Sequence, residues 1–472
     1  MILKTLKRLI AMLQTPSQAP IPNQHMPHTD MPPLAQKLKK IFTIALPSGA
    51  NSFLDIFVIA ISMFFMGKLS DAHIVAVGVS LNFFMLFYTF NAILYIGTNA
   101  QISRFFGAKD RDNAILVFST LTCGAFLACI PILGLGFYSY RYFLDWITLS
   151  ANARELADTY LQIMIYSLPA MFLKNIVISA LAAIGDTLTP FMIRIFTTSF
   201  CVLLNYILIF GAFGFPRLEI IGAAYANVGI AYLELAILLA LMFLPKAYLH
   251  FELRFCYRFF ANALRIGIPA GLERLLTLFS LVLTTKFLSE YGDSVLAGAQ
   301  IGSRIEAFSF MPGFGFMVAA MALMGQSLGA NRIDLASDFI ATILKIASIL
   351  MGVLGILMAI FAHDFSSIFT TESEVLHISR LYLLAVGFSQ VPLIVIFVLD
   401  GALRGAGITK ISLWINAGSI WTFRILPMWL LIHFGFGVAW IFLMIFLETY
   451  IRAGIFWLVF QRGAWKQPRR LV

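Results

Sequence analysis

Charge is what this sequence lacks. Asp, Glu, Lys and Arg make up 12% of its 472 residues, against about 25% in an ordinary soluble domain. With 60% of the residues hydrophobic, one large water-soluble core is excluded. Cysteine is scarce too. Cys123, Cys129 and Cys201 fall inside apolar runs and Cys256 in a basic loop, which fits small buried hydrophobes rather than a disulfide framework or a zinc site. Of the seven histidines, His25 and His28 lie in the N-terminal tail, and His73, His250, His363, His377 and His433 in loops or near run ends. None is placed as a mid-membrane proton relay. The first residues carry Lys4, Lys7 and Arg8 without an uninterrupted apolar core, so no cleavable signal peptide is expected. No nucleophile–base pair, metal motif or phosphate loop is present either, so neither an enzyme nor a bound cofactor is expected.

What is there is a series of long apolar runs. About 18 such residues suffice to cross a hydrocarbon core of about 30 Å as a helix. Twelve spans are predicted, at 41–66, 73–100, 113–136, 154–181, 190–211, 220–244, 262–288, 294–325, 335–362, 375–403, 410–434 and 437–461. One set of alternate loops collects Lys37, Lys39 and Lys40, then Arg104, Lys109 and Arg111, then Lys246, Arg254, Arg258 and Arg265, then Arg332, Arg404 and Lys410, and finally Arg462, Lys466, Arg469 and Arg470. The other set holds little more than Lys68, Arg141, Arg154 and Arg217. Lysine and arginine gather on the cytoplasmic side, so both termini are expected in the cytoplasm and the protein in the plasma (inner) membrane. The net charge of +10 needs no nucleic-acid partner.

The chain also repeats itself. Gly107, Asp112 and Ala114 of the first polar turn recur as Gly329, Asp334 and Ala336 of the second, a shift of 222 residues. The same shift carries Pro47 onto Pro269 and Gly185 of AIGDT onto Gly407 of GAGIT. One unit is therefore used twice. Six spans per unit is even, so the copies enter the membrane in the same direction and are related by an axis along the membrane normal. The expected fold is an all-α membrane protein of two pseudo-symmetric six-helix bundles. Its divisions are a tail and linker at 1–36, an N-terminal lobe at 37–246, a linker at 247–261, a C-terminal lobe at 262–461 and a basic tail at 462–472. The run from Arg304 to Ala336 reads as a long helix broken at Pro312 and Gly313.

Ionisable residues at membrane depth cost about 2.5–3.5 kcal/mol each on insertion scales, so they face a cavity or a partner. In the first span Ser48, Asn51, Ser52, Asp55 and Ser62 form a polar stripe with one carboxylate. In the seventh, Glu273 follows Pro269 by four residues. Each copy thus places an acid in its first helix near a proline. Asp55 and Glu273 are candidate cation or proton sites, since a sheltered carboxylate can alternate between proton, Na⁺ and cationic substrate; the alternative to that preferred reading is a structural ion pair or hydrogen-bond hub. Asp400 is a third candidate. Lys174 is a possible partner of Asp55, and Arg424 of Glu273 or Asp400. Arg304 and Glu306 read as serving a helix start, Glu234 and Glu448 as structural. Asn205 offers an amide oxygen to a hard cation, or a helix–helix hydrogen bond. Asn51, Ser62, Tyr88, Phe308 and Met311 are candidates to line a substrate cavity.

The tract RIEAFSFMPGFGFMVAAMALMGQSLGAN, with GALRGAGITK, AIGDTLTP, LNYILIFG and RAGIFWLVFQRGAWK, resembles multidrug and toxic compound extrusion (MATE) transporters from Pro47 to Trp465. The resemblance implies twelve helices in two lobes, an outward-opening cleft, and export of organic cations in exchange for H⁺ or Na⁺; the side-by-side repeat suits rocking of the lobes, and a monomer is expected. The sheltered carboxylates themselves lead to the expectation of transient Na⁺ at Asp55 or Glu273. Ser62 stands where many prokaryotic members have an aspartate, five residues before the glycine that closes the first helix, and Asp55 lies two turns earlier. Cys201 stands where an asparagine is common, four residues before Asn205. Two other readings remain: a lipid-linked oligosaccharide flippase of the same superfamily, which needs cations in its cleft, and a membrane scaffold without transport.

Overall fold

The structure, a computed structural model, describes residues 31–147, 149–243 and 248–466. The tail through residue 30 with its two histidines, the 246/247 lobe boundary, and the basic tail beyond 466 lie outside the described residues. Every regular element among the described residues is helical. In order these are α1 (Leu34–Gly67), α2 (Asp71–Gly107), α3 (Arg111–Trp146), α4 (Ala151–Met164), α5 (Leu168–Ile184), α6 (Leu188–Phe210), α7 (Glu219–Met242), α8 (Tyr257–Ser289) and α9 (Asp293–Gly329). Then follow α10 (Ile333–Ile360), the short α11 (Ala362–Ser367), α12 (Ser373–Phe388), α13 (Gln390–Gly405), α14 (Thr409–Ile420), a π-helical segment (Trp421–Ile425), α15 (Leu426–His433) and α16 (Val438–Gln461).

Among the described residues, eleven helices, counting α4–α5 and α14–α15 as one each, are long and apolar enough to cross a membrane. One further span, the tenth in chain order, is α12 with α13, bent by 52° at their junction. Each of the twelve predicted spans is thus mainly helical over its described residues. The expected break at Pro312 is not found: α9 runs unbroken from Asp293 to Gly329 with Pro312 inside it. Proline removes one backbone donor, and in apolar bundles its neighbours make good the loss. Pro47, Pro131 and Pro269 sit inside α1, α3 and α8 in the same way.

The repeat is written into the backbone. α2 and α9 are each 37 residues long and begin and end 222 positions apart (71 to 293, 107 to 329). Each is followed by a left-handed residue, Lys109 at φ 59° and Asn331 at φ 56°. The turns close with equivalent hydrogen bonds, Asp110 N to Phe105 O and Arg332 N to Ser327 O, both 2.9 Å. Gly185 and Gly407 cap α5 and α13 at φ 92° and 74°, a conformation that glycine adopts without the penalty a Cβ imposes.

The described residues pack as two compact units, one within 50–265 and the other comprising 31–49 with 266–466. This differs from lobes beginning at 37 and 262, and the reason is local packing. The N-terminal half of α1 lies against α9, where a Cβ on Gly315 would collide with the Ala45 carbonyl and crowd the Gly49 nitrogen. Lys37 pairs with Asp338 of α10 at 2.6 Å. The start of α8 packs on α2 in the other unit, with Gln101 Nε2 donating to Phe259 O at 3.1 Å. The expected linker at 247–261 is fastened to that unit as well. Glu252 N donates to Ser119 Oγ at 3.0 Å and Cys256 N to Thr120 Oγ1 at 3.1 Å. Arg111 Nε donates to Tyr248 O at 3.0 Å, and burial pushes the Tyr248 phenol up. Arg104, Arg265 and Arg404, read from the sequence as loop residues, lie within α2, α8 and α13.

Gly315→Val should force α1 and α9 apart and destabilise the protein by about 1–3 kcal/mol, read as a lower Tm in detergent. Gly418→Ala, where no atom lies within 4 Å of the added carbon, should leave Tm unchanged.

Candidate functional site

In the first unit the deep charges form one chain. Asp55 Oδ1 accepts from Arg194 Nη2 at 2.6 Å, Arg194 Nη1 reaches Glu234 Oε2 at 2.9 Å, and Lys174 Nζ meets the same Glu234 oxygen at 2.7 Å. Two acids face two bases, so the chain is neutral. Glu234 is buried at 2% exposure, while the Asp55 side chain is 60% exposed. The expected Lys174–Asp55 pair is not formed. The lysine belongs to Glu234, and Arg194, which the sequence reading passed over inside the fifth span, takes Asp55. An ionisable residue inside a counted span was the available signal.

Beside this chain stands a polar cluster. Asn205 Nδ2 donates to Cys201 O at 2.9 Å and lies 3.4 Å from Asn227 Oδ1. Asn227 Nδ2 reaches Tyr160 OH at 3.3 Å. The Asn205 Oδ1 is buried and without a hydrogen-bond partner. Sequence supplied Asn205; only the fold adds Asn227.

In the second unit Arg404 Nη2 bonds both Glu273 Oε1 and Asp400 Oδ2, each at 2.7 Å. Asn416 Nδ2 donates to the same Glu273 oxygen at 2.9 Å. The remaining oxygens, Glu273 Oε2 and Asp400 Oδ1, are buried and accept no hydrogen bond. Two of the sequence candidates are therefore brought together, by a residue that was assigned to a loop. Arg424 is not their partner: it pairs with Glu448 at 2.5 Å, and Arg452 takes the other Glu448 oxygen at 3.0 Å. The four-residue spacings Asp400–Arg404 and Glu448–Arg452 were legible helical pairs. Arg424 lies in the π segment just before Pro427, whose missing donor disrupts the regular ladder. Arg274, next to Glu273 and exposed, is a further cation in α8 that the sequence reading did not single out.

The proposed cavity residues scatter. Tyr88 and Phe308 are 54% and 55% exposed, and Asn51 and Ser62 are half-buried. Met311 is 5% exposed and packed in the interior, because its turn of α9 meets Gly49 of α1. An apolar cavity of about 210 Å³ lies instead within the first unit, lined by Phe87, Phe90, Gly124, Phe172, Phe260 and Leu264 among others. No cluster of three or more His, Cys, Asp or Glu side chains stands among the described residues, and the four cysteines are free thiols.

The MatE family model matches the chain twice, over residues 47–207 and 269–430. The chain belongs to the MatE family. The two matches begin 222 residues apart (47 to 269), at the same pair of prolines that the repeat superposes. It is 27% identical to the probable multidrug resistance protein YoeA of Bacillus subtilis, over 76% of this chain and 80% of that protein. It is 25% identical to the probable multidrug resistance protein NorM of Thermotoga maritima, over 94% and 96%. The fold matches the MATE transporter VcmN of Vibrio cholerae with a TM-score of 0.85 at 22% identity, over 93% of this chain and 98% of that one. A MOP superfamily transporter from Pyrococcus furiosus matches with a TM-score of 0.84 at 18% identity, over 91% and 97%. This MatE protein is a multi-pass membrane transporter.

Glu234→Gln leaves Lys174 and Arg194 without their shared carboxylate and should cost about 3–5 kcal/mol, the loss found when one partner of a buried pair is removed. Adding Lys174→Met to that variant should recover part of the loss in Tm.

Proposed function

We propose that this protein exports small organic compounds, amphipathic and mostly cationic, across the plasma membrane in exchange for H⁺ or Na⁺. In this reading it works as a monomer with both termini cytoplasmic, by alternating access in the rocking form that a duplicated bundle allows. The multidrug resistance proteins YoeA and NorM support export of varied compounds. The observation that carries the coupling is the Glu273–Arg404–Asp400 group, where one guanidinium nitrogen serves two carboxylates and each keeps a buried oxygen in reserve.

Arg404 is then a tethered cation that a mobile one must displace. A proton or Na⁺ arriving on Glu273 Oε2 and Asp400 Oδ1 weakens the hold on Arg404, and a cationic substrate competes for the same oxygens. The magnitudes suit a switch. Moving a two-state equilibrium from 1:99 to 99:1 takes about 5.5 kcal/mol of differential binding, and breaking a buried pair is worth about 3–5 kcal/mol. One such exchange nearly suffices. In the first unit, the exposed Asp55 and the free Asn205 oxygen are the corresponding candidates.

A lipid-linked oligosaccharide flippase is the second reading, and Arg274 is the feature that favours it: exposed, on α8, and in no ion pair among the described residues. Lipid pyrophosphate binding to the purified protein, lost in Arg274→Gln, would support that reading over the first.

Proteoliposomes loaded with ethidium should empty under an imposed pH or Na⁺ gradient, and Glu273→Gln and Asp400→Asn should each abolish gradient-driven movement. The proposal fails if neither gradient drives efflux, or if both variants transport at the unaltered rate.

A further inference from the structure

Each deep carboxylate considered so far has a cation on it; Glu306 of α9 does not. It is buried and makes no ion pair among the described residues. Its side-chain partner is the Tyr382 hydroxyl of α12, which donates to Oε2 at 2.7 Å. One turn further along α9, Ser309 Oγ stands 2.7 Å from the Glu306 carbonyl and 3.0 Å from Gln390 Oε1 at the start of α13. Tyr382 and Gln390 flank the junction at which the tenth span bends by 52°. Glu306 and Ser309 thus touch both arms of that bend.

The groups that act on Glu306 are few. They are the Tyr382 phenol and, beyond ion-pair distance, the Arg424 guanidinium. Arg424 is held by Glu448 at 2.5 Å. α10, α11 and α13 are also packed on α9, and no ion pair among the described residues joins any of them to Glu306. The architecture does not demand an acid here. The shift of 222 puts Phe84 in the place of Glu306 (84 to 306) and Tyr160 in that of Tyr382 (160 to 382). Phe84 is buried in its own unit, where the hydroxyl of Tyr160 serves Asn227 instead.

We infer that Glu306, with Tyr382, is a proton-binding site of the second unit, placed at the bend between α12 and α13 and separate from the Arg404-bound pair. An unpaired carboxylate in an apolar interior is costly, and a bound proton removes the charge. Protonation adds one H⁺ to a Glu306 oxygen and reverses the sense of its bond with Tyr382 or breaks it. The arms of the bend are then held differently with and without the proton. This rests on the exchange proposed above for its role in transport, but not for its existence.

Infrared difference spectra of the full chain in lipid nanodiscs, taken between alkaline and acidic pH, test it. A carboxylic-acid carbonyl band should appear at the acidic end, shift in D₂O, persist in Glu273→Gln and vanish in Glu306→Gln. Should the latter fold poorly, Tyr382→Phe keeps the carboxyl and should displace the band by removing its hydrogen bond. A band unchanged in Glu306→Gln, or unmoved in Tyr382→Phe, overturns the assignment. Transport then separates the two ideas. If a pH gradient drives ethidium efflux and Glu306→Gln loses it, both stand. If the gradient drives efflux equally well without Glu306, its coupling role fails while the exchange itself survives. A pH-dependent Glu306 band in a protein that no gradient drives leaves the site intact and removes the exchange.

Discussion

A charge inside an apolar bundle must meet its opposite, and that requirement orders the interior of this protein. Water is not there to solvate it, so the cost of isolation is several kcal/mol per group even after relaxation. The response is two neutral arrays. Asp55 and Glu234 are set against Arg194 and Lys174 in one unit, and Glu273, Asp400 and Glu448 against Arg404, Arg424 and Arg452 in the other. Such pairs add little stability over apolar packing. What they offer is exchangeability, because a partner that can be replaced by another cation converts binding into a change of contacts.

Duplication provides the frame on which these arrays were varied. The turns after α2 and α9 and the caps of α5 and α13 keep the same backbone, down to a left-handed residue at equivalent places. The tenth span has its break at Ser389 and the fourth a 3₁₀ turn at Ile165–Ser167, positions that the repeat also superposes (167 to 389). Side chains at equivalent positions have nevertheless diverged. Arg404 replaces Ala182 and Glu306 replaces Phe84 under the same shift (182 to 404, 84 to 306). Backbone geometry is constrained by hydrogen bonds that every residue makes; the interior polar groups are constrained only by their local partners.

That difference explains how much could be read from sequence. The apolar runs, their length and the repeat fix the number of spans and the copy-to-copy correspondence, because each follows from local composition. The pairing of Asp55 with Arg194 is a contact between α1 and α6 across 139 residues, which no local pattern encodes. Sequence marks Lys174 and Arg424 as deep cations without naming their acids, since it shows depth but not azimuth. Arg404 reads as a loop residue for another reason: it stands in the last turn of its helix, where the composition looks like a loop although the side chain turns inward to Glu273. Its spacing of four from Asp400 is the local sign of a helical pair.

Neutral arrays carry a further implication for exchange. A site that is already balanced can accept an incoming cation only by releasing one it holds or by using an oxygen left vacant. Glu273 Oε2, Asp400 Oδ1 and Asn205 Oδ1 are such oxygens, and each lies beside a group committed elsewhere. Glu306 differs, because its phenol partner carries no charge and nothing has to leave before a proton binds. On the proposed exchange, the second unit combines two ways of taking up positive charge, one by displacement of Arg404 and one by direct addition at the bend of the tenth span. Displacement suits a cation that competes with substrate, and addition suits a proton that resets the helix. Their separation within one bundle lets the two events differ in sequence and in pH dependence without a shared ligand.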